Sequence, residues 1–202
     1  MPTGRNLYLE AKGEYKNLHE AFAKRAQVNF SMAAAKPTDP CIFLSHRSSD
    51  KAAVLKIGDH IMSKGIDVYI DIDDPDLQKA VVNNDHMAIT AAIDLGISKS
   101  TDLLAYLTVN TATSIWVPYE IGFAKRAGNN LAAMKSKDLP ALPSYLEIVK
   151  KITGIGSLNA YLIEVLGRKK TAGVVNFSNH QAIYELKTAN AGESLTNYLS
   201  AQ

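Results

Sequence analysis

The chain has 202 residues, enough for one medium domain with appendages and a sizeable buried core. Its 47% apolar and 21% charged residues exclude a disordered or fibrous chain. A net charge of +2 is too small to argue for nucleic acid or an anionic membrane surface, and the single cysteine, Cys41, excludes an internal disulfide framework or a multi-cysteine metal site.

In chain order, residues 6–34 read as helical, with Leu7, Leu18, Phe22 and Ala26 recurring among charged residues. Gly13 weakens the middle of that helix. Lys36-Pro-Thr-Asp-Pro40 is a linker. Cys41-Ile-Phe-Leu-Ser45 is a continuous apolar run, the pattern of a strand buried on both faces, and it makes Cys41 a buried structural thiol. Asp50 to Lys64 predicts a helix, closed by Gly65. Ile66 to Ile70 predicts a second strand, followed by the acidic loop Asp71 to Asp76. A helix is expected from about Asp85 to Leu95, ending at Gly96. Asp102 to Val109 predicts a third strand, and Leu131 to Met134 a fourth. Between them a helix starts near Ser114 and ends near Gly128. Pro143 to Ile152 and Ser157 to Leu166 read as helices. Beyond Lys169 the pattern weakens, with Val174 to Phe177 a candidate edge strand and Asn179 to Leu186 a candidate helix. This alternation predicts an α/β fold: a central parallel sheet of about five strands with helices on both faces, plus an N-terminal helix and a C-terminal extension. Domain boundaries are expected at 1–39 for a helical extension and linker, 40–168 for the domain, and 169–202 for the extension.

No apolar run approaches the ~20 residues that span a bilayer, and the N-terminus lacks the apolar core of a signal peptide. A cytoplasmic location without membrane contact is the expectation. In an open parallel sheet, ligands bind outside the carboxyl ends of the strands, where the connectivity reverses. Residues 45–50, 71–76 and 110–120 fall at that edge.

The stretch Ser114-Ile-Trp-Val-Pro-Tyr-Glu-Ile-Gly122 is the most informative. Pro118 fits only near a helix start, and Ser114 is a plausible N-cap. Trp116 and Glu120, four residues apart, would then project from one helix face. A flat aromatic beside a carboxylate suits a substrate whose stackable ring is bonded to a carbon that becomes cationic. Placed in the first helical turn, Glu120 would also be favoured as an anion by the helix dipole. The bland alternatives are a solvated glutamate and a tryptophan that anchors the core.

Ile42-Phe-Leu-Ser-His46 with Asp50, Gly65-Ile-Asp-Val-Tyr-Ile-Asp71, and Ser114 to Gly122 together resemble the bacterial TIR (Toll/interleukin-1 receptor) domains, closest to the stand-alone TIR subunits of Thoeris anti-phage defence. The resemblance covers about residues 40 to 165. It implies a flavodoxin-like fold and, in many members, cleavage of the nicotinamide–ribose bond of NAD+ to ADP-ribose or a cyclic ADP-ribose isomer that acts as a signal. It places the catalytic glutamate at Glu120 and the nicotinamide-stacking aromatic at Trp116. Phe43, Leu44, Ser45 and His46 would line the substrate pocket, and Asp71 would open the loop that shapes the site and helps self-assembly. NAD+ would be the substrate, with no cofactor. The expected partners are other copies through TIR–TIR contacts and a downstream effector that senses the nucleotide product.

The chemistry is coherent on its own terms. Nicotinamide in NAD+ is already a pyridinium, so it leaves neutral and needs no general acid, whereas glycosidases need two carboxylates. Single-residue readings stay open: His46 as a phosphate or ribose contact or a histidine held by nearby backbone, Ser45 as pocket wall or turn former. No nucleophile elbow surrounds Ser45. Asp71, Asp73, Asp74 and Asp76 lack the glycine and terminal glutamate of an EF-hand loop, and His19, His60, His86 and His180 have no ligand spacing, so no metal site is expected. Lys125 and Arg126 read as a solvated helix end. Two rival functions are a non-catalytic TIR–TIR interaction module and a nucleoside deoxyribosyltransferase-like enzyme.

Overall fold

The computed structural model describes Gly4 and residues 39–70, 75–171 and 195–201. The expected helix over 6–34, Asp71, and the candidate elements at 174–177 and 179–186 lie outside the described residues. Five strands form one sheet in the order β2-β1-β3-β4-β5: β1 Cys41–Ser45, β2 Asp67–Tyr69, β3 Asp102–Leu107, β4 Asn130–Lys135 and β5 Lys150–Ile152. Every pairing is parallel. This is the flavodoxin-like order, and its connectivity reverses between β1 and β3.

Among the described residues the helices are α1 Lys51–Ser63, α2 Pro75–Val82, α3 His86–Ser98, α4 Trp116–Arg126 and α5 Ile155–Thr171. They cover both faces of the sheet, as the uninterrupted apolar strands require. Because strand side chains alternate, β1 sends Ile42 and Leu44 to one face and Cys41 and Phe43 to the other. The first face packs on Val54, Ile57 and Ile61 of α1 and on Leu158, Leu162 and Val165 of α5. The second packs on Ile89, Ile93 and Ile97 of α3 and on Val117, Ile121 and Ala124 of α4. Burial in the first core holds α5 in place together with polar ties: the buried Asp102 carboxylate accepts from the Tyr161 hydroxyl at 3.0 Å and from the Arg168 guanidinium.

The strands over 41–45, 66–70, 102–109 and 131–134 and the helices over 50–64, 114–128 and 157–166 form at or close to the expected positions. Gly65 ends α1 with φ 78°, in the left-handed region expected of a C′ glycine. Three expectations are overturned. Residues 143–152 do not form one helix: a single 3-10 turn at Ser144–Leu146 is followed by β5, which pairs with β4 at Ala132↔Lys150 through Met134↔Ile152. The apolar spacing of Leu146, Val149 and Ile152 mimics a helix, but sheet hydrogen bonds to β4 decide the outcome. The acidic loop does not run through Asp76, because α2 begins at Pro75, whose fixed φ suits a first helical residue. Asn84, at φ 53°, closes that helix with the Asp85 N–H donating to the Ala80 carbonyl at 2.7 Å. Finally, Gly96 does not stop α3, which continues to Ser98. It sits inside the helix where a Cβ would lie 2.5 Å from the Tyr69 ring and 2.6 Å from the Phe43 ring.

Candidate functional site

Ser45 has the strand parity of Cys41 and Phe43, so it faces the α3/α4 side of the sheet at the carboxyl end of β1. Its neighbour across the switch point is Ala105 of β3. The chain leaving β3 makes a 3-10 turn at Val109–Thr113 and enters α4, which brings Glu120 back over the end of β1. The Ser45 hydroxyl donates to Glu120 Oε2, and both residues are buried, at 1% and 6% exposure. A solvated glutamate would stand clear of the core; Glu120 does not.

Two sequence expectations about this helix change in detail. The N-cap position falls on Ile115, although the Ser114 hydroxyl still accepts the Val117 N–H at 3.3 Å. Glu120 lies beyond the first turn of α4, which carries no acidic residue. The dipole effect fades within that turn, whereas the Ser45 hydroxyl is a donor placed directly at this carboxylate.

Trp116, the first residue of α4, is half-buried against the second core. Its ring lies 6.1 Å from that of His86 at 35° and 6.1 Å from that of Tyr119 at 86°. Thus the indole and the carboxylate are one turn apart on one helix.

The other pocket residues separate. Phe43 is buried and stacks on Tyr69, with ring centroids 5.7 Å apart, as a floor beneath Ser45. Leu44 packs in the opposite core, so its side chain is remote from Glu120. Its carbonyl pairs with His46 Nδ1 at 3.0 Å, a backbone contact of the kind given by one of the two readings open for that histidine. His46 remains partly exposed at the sheet edge.

Sequence reading missed the groups that bind the edge loops together. The Thr108 hydroxyl donates to Asp50 Oδ2 at 2.9 Å and also accepts the Asn110 N–H at 3.1 Å. The Arg47 guanidinium donates to the Asn110 carbonyl. These contacts tie the loop after β1 to the loop after β3, on either side of the switch point. Thr108 and Thr111, three residues apart, form a capping box that the spacing alone could have suggested. His86 carried no such signal, since its approach to Trp116 depends on how α3 and α4 pack.

Among the described residues, no group of three or more His, Cys, Asp or Glu could hold a metal ion. Among them also, no helix is long and apolar enough to cross a membrane. The arrangement thus brings together a buried carboxylate, a hydroxyl that donates to it and a ring surface alongside. Against known families, residues 42–155 match the TIR domain family model, a span that holds Ser45, Trp116 and Glu120. No curated protein matches the chain.

Proposed function

The chain belongs to the TIR domain family, and from that premise we propose that it cleaves the nicotinamide–ribose bond of NAD+. The observation that carries this reading is the buried Glu120 carboxylate, held by Ser45 at the β1/β3 switch point one helical turn from Trp116. Burying a carboxylate costs several kcal/mol on the order of magnitude unless donors meet it. Such a group is worth more as a working charge than as a helix ornament.

In the proposed reaction the nicotinamide ring stacks on Trp116 and Glu120 lies beside C1′ of the ribose. The C1′–N bond breaks with its electron pair passing to the nicotinamide nitrogen, which leaves neutral. The carboxylate stabilises the positive charge that develops on C1′ and the ring oxygen. Water then attacks C1′ and loses a proton, giving ADP-ribose; attack by a group of the same molecule gives a cyclic isomer. Ser45 orients the carboxylate, His46 borders the ribose and phosphates, and Phe43 supports the wall from below. Leu44, in the opposite core, contributes its backbone alone, and Asp71 belongs to this scheme only as the residue that opens the loop after β2. Further along this reading, the protein is a bacterial anti-phage defence enzyme of the Thoeris kind in the cytoplasm. It is switched on by self-association, and its product is sensed by a downstream effector.

The test is release of nicotinamide from NAD+ by the purified protein, at high concentration or with a crowding agent, beside Glu120→Gln. The expected loss is on the order of 10²- to 10³-fold, as for other removed electrostatic stabilisers. Equal release by both proteins overturns the catalytic role of Glu120. Mass analysis of the products separates linear from cyclic, and deoxynucleosides offered in place of NAD+ test a deoxyribosyltransferase.

A second reading is a non-catalytic TIR–TIR module. Exposed Met87 and Ile115, at 65% and 71% and next in the chain to His86 and Trp116, favour it, since solvated apolar side chains beside the candidate site suit a protein contact. Sedimentation of Glu120→Gln distinguishes the two: self-association with no turnover in either protein supports the module.

A further inference from the structure

Resting on the reading of Trp116 as the stacking surface, we propose that Tyr119, held by Asp94, is a positioning residue that fixes the plane of the indole. Trp116, Tyr119 and Phe123 sit at i, i+3 and i+7 and so form one stripe along α4. Tyr119 meets the indole at 86°, with centroids 6.1 Å apart, and lies nearly parallel to Phe123 at 6.2 Å. Edge-to-face pairs of this kind are directional. The Tyr119 hydroxyl donates to Asp94 Oδ1 of α3 at 2.7 Å. That bond pins the hydroxyl end of the phenol, and the phenol, kept in place against the indole edge, in turn limits the room into which the indole can tilt. From the first residue of α3, the His86 ring approaches Trp116 at 6.1 Å and 35°. The indole is therefore braced by one ring anchored to α3 and by another carried on it, although Trp116 itself belongs to α4.

Such bracing matters because Trp116 opens a helix, where backbone hydrogen bonding is incomplete. A substrate ring stacked on a tilted indole carries its bonded carbon away from Glu120. Misplacement by about 1 Å is enough to cost reactivity severely. Asp94 and Tyr119 touch neither substrate nor reacting atoms in this scheme; they act through Trp116.

The chain has one tryptophan beside nine tyrosines, so fluorescence excited at the red edge, where tyrosine does not absorb, reports Trp116 alone. NAD+ and nicotinamide are titrated against Glu120→Gln protein, which binds without turnover, and quenching is followed. Tyr119→Phe keeps the ring and removes its hydrogen bond; Asp94→Asn keeps the size and removes the charge. Each is expected to weaken NAD+ quenching by about three- to tenfold, through loss of the hydrogen bond in Tyr119→Phe and of the charge that strengthens it in Asp94→Asn. In protein retaining Glu120, each is expected to raise KM by a similar factor and to lower kcat as well, and melting temperatures stay within a few degrees. Unchanged titrations and unchanged KM in both variants overturn the positioning role and leave the proposed function standing. Absence of any NAD+ quenching, with nicotinamide release still dependent on Glu120, overturns it too, because Trp116 is then not the stacking surface. Release that does not depend on Glu120 instead defeats the underlying functional reading. Should Tyr119→Phe fail to fold, Asp94→Asn alone decides.

Discussion

Ser45 illustrates how one side chain links strand geometry to chemistry. Its parity on β1 points it to the α3/α4 face, and its place as the last strand residue puts the hydroxyl where α4 returns. Hydrogen bonds to charged groups contribute roughly 1.5–3 kcal/mol. Ser45→Ala, which removes the donor but little volume, is therefore expected to lower kcat/KM for nicotinamide release by about ten- to a hundredfold. The effect should vanish in a Glu120→Gln background, because residues acting as a unit are not additive. A Ser45→Ala loss that persists beside Glu120→Gln shows that the hydroxyl serves the substrate directly. The sequence offered Ser45 both as a wall and as a turn former. Only the returning helix, a contact across 75 residues, decides that it meets Glu120.

At the scale of elements, what could be read in advance was what depends on neighbours in the chain. Buried strands such as Cys41–Ser45 announce themselves by composition, and Pro118 with the i,i+4 pair marks α4. Gly96 shows the limit. Taken locally, a glycine after a helical pattern is a stop signal, yet here it admits the stacked Phe43 and Tyr69 rings against α3. Helix propensity alone would make Gly96→Ala stabilising by about 1 kcal/mol. The added Cβ would overlap two rings that are clamped in the core, and overpacking costs typically about 1–3 kcal/mol. Net destabilisation is the expected outcome, read as a lower midpoint in urea. A raised midpoint would mean that α3 can move off the sheet freely.

His60 couples two other elements. Its Nε2 donates to Asn159 Oδ1 at 2.9 Å, joining the last turn of α1 to α5. Burial pushes its pKa below the ordinary 6.5, with the positive charge of Lys64 adding to that and the Asn159 bond opposing it. The neutral ring is thus the form the fold accepts. Unfolded chains bind a proton first as pH falls, so this contribution is complete above about 6.5 and is lost as pH drops from there through the lowered value. His60→Gln keeps a donor but does not titrate. Its melting temperature is expected to fall less between pH 7 and pH 5 than that of the parent; parallel pH curves for the two proteins would remove His60 as a source of acid sensitivity.

For the whole molecule, the family match stops at residue 155, but the fold does not. Leu158, Tyr161, Leu162, Val165 and Leu166 of α5 lie beyond it and fill the first core, joined by Leu195 and Leu199 from the far end of the chain. The tail is bound by backbone as well as by leucines. The Lys137 N–H donates to the Tyr198 carbonyl at 3.0 Å, the Ile155 N–H donates to the Ser200 carbonyl at 2.9 Å, and Ser200 bridges Gly154 in parallel. Residues 195–201 therefore belong to the folded body, whatever the segment before them does. Leu195 and Leu199 are each 1% exposed. Truncating a buried leucine to alanine costs about 2–5 kcal/mol, against a total stability of roughly 5–15 kcal/mol for a domain. Each single alanine should lower the urea midpoint measurably, and the double variant should be near the limit of folding at 25 °C. A tail that only rested on the surface would shift stability by about 0.5 kcal/mol or less. Because these leucines pack on the α1/α5 face and Ser45 and Glu120 lie on the other, the KM of the folded fraction should not change. Loss of stability with KM preserved would make the tail a part of the scaffold, whereas an altered KM at intact stability would connect it to the site across the sheet.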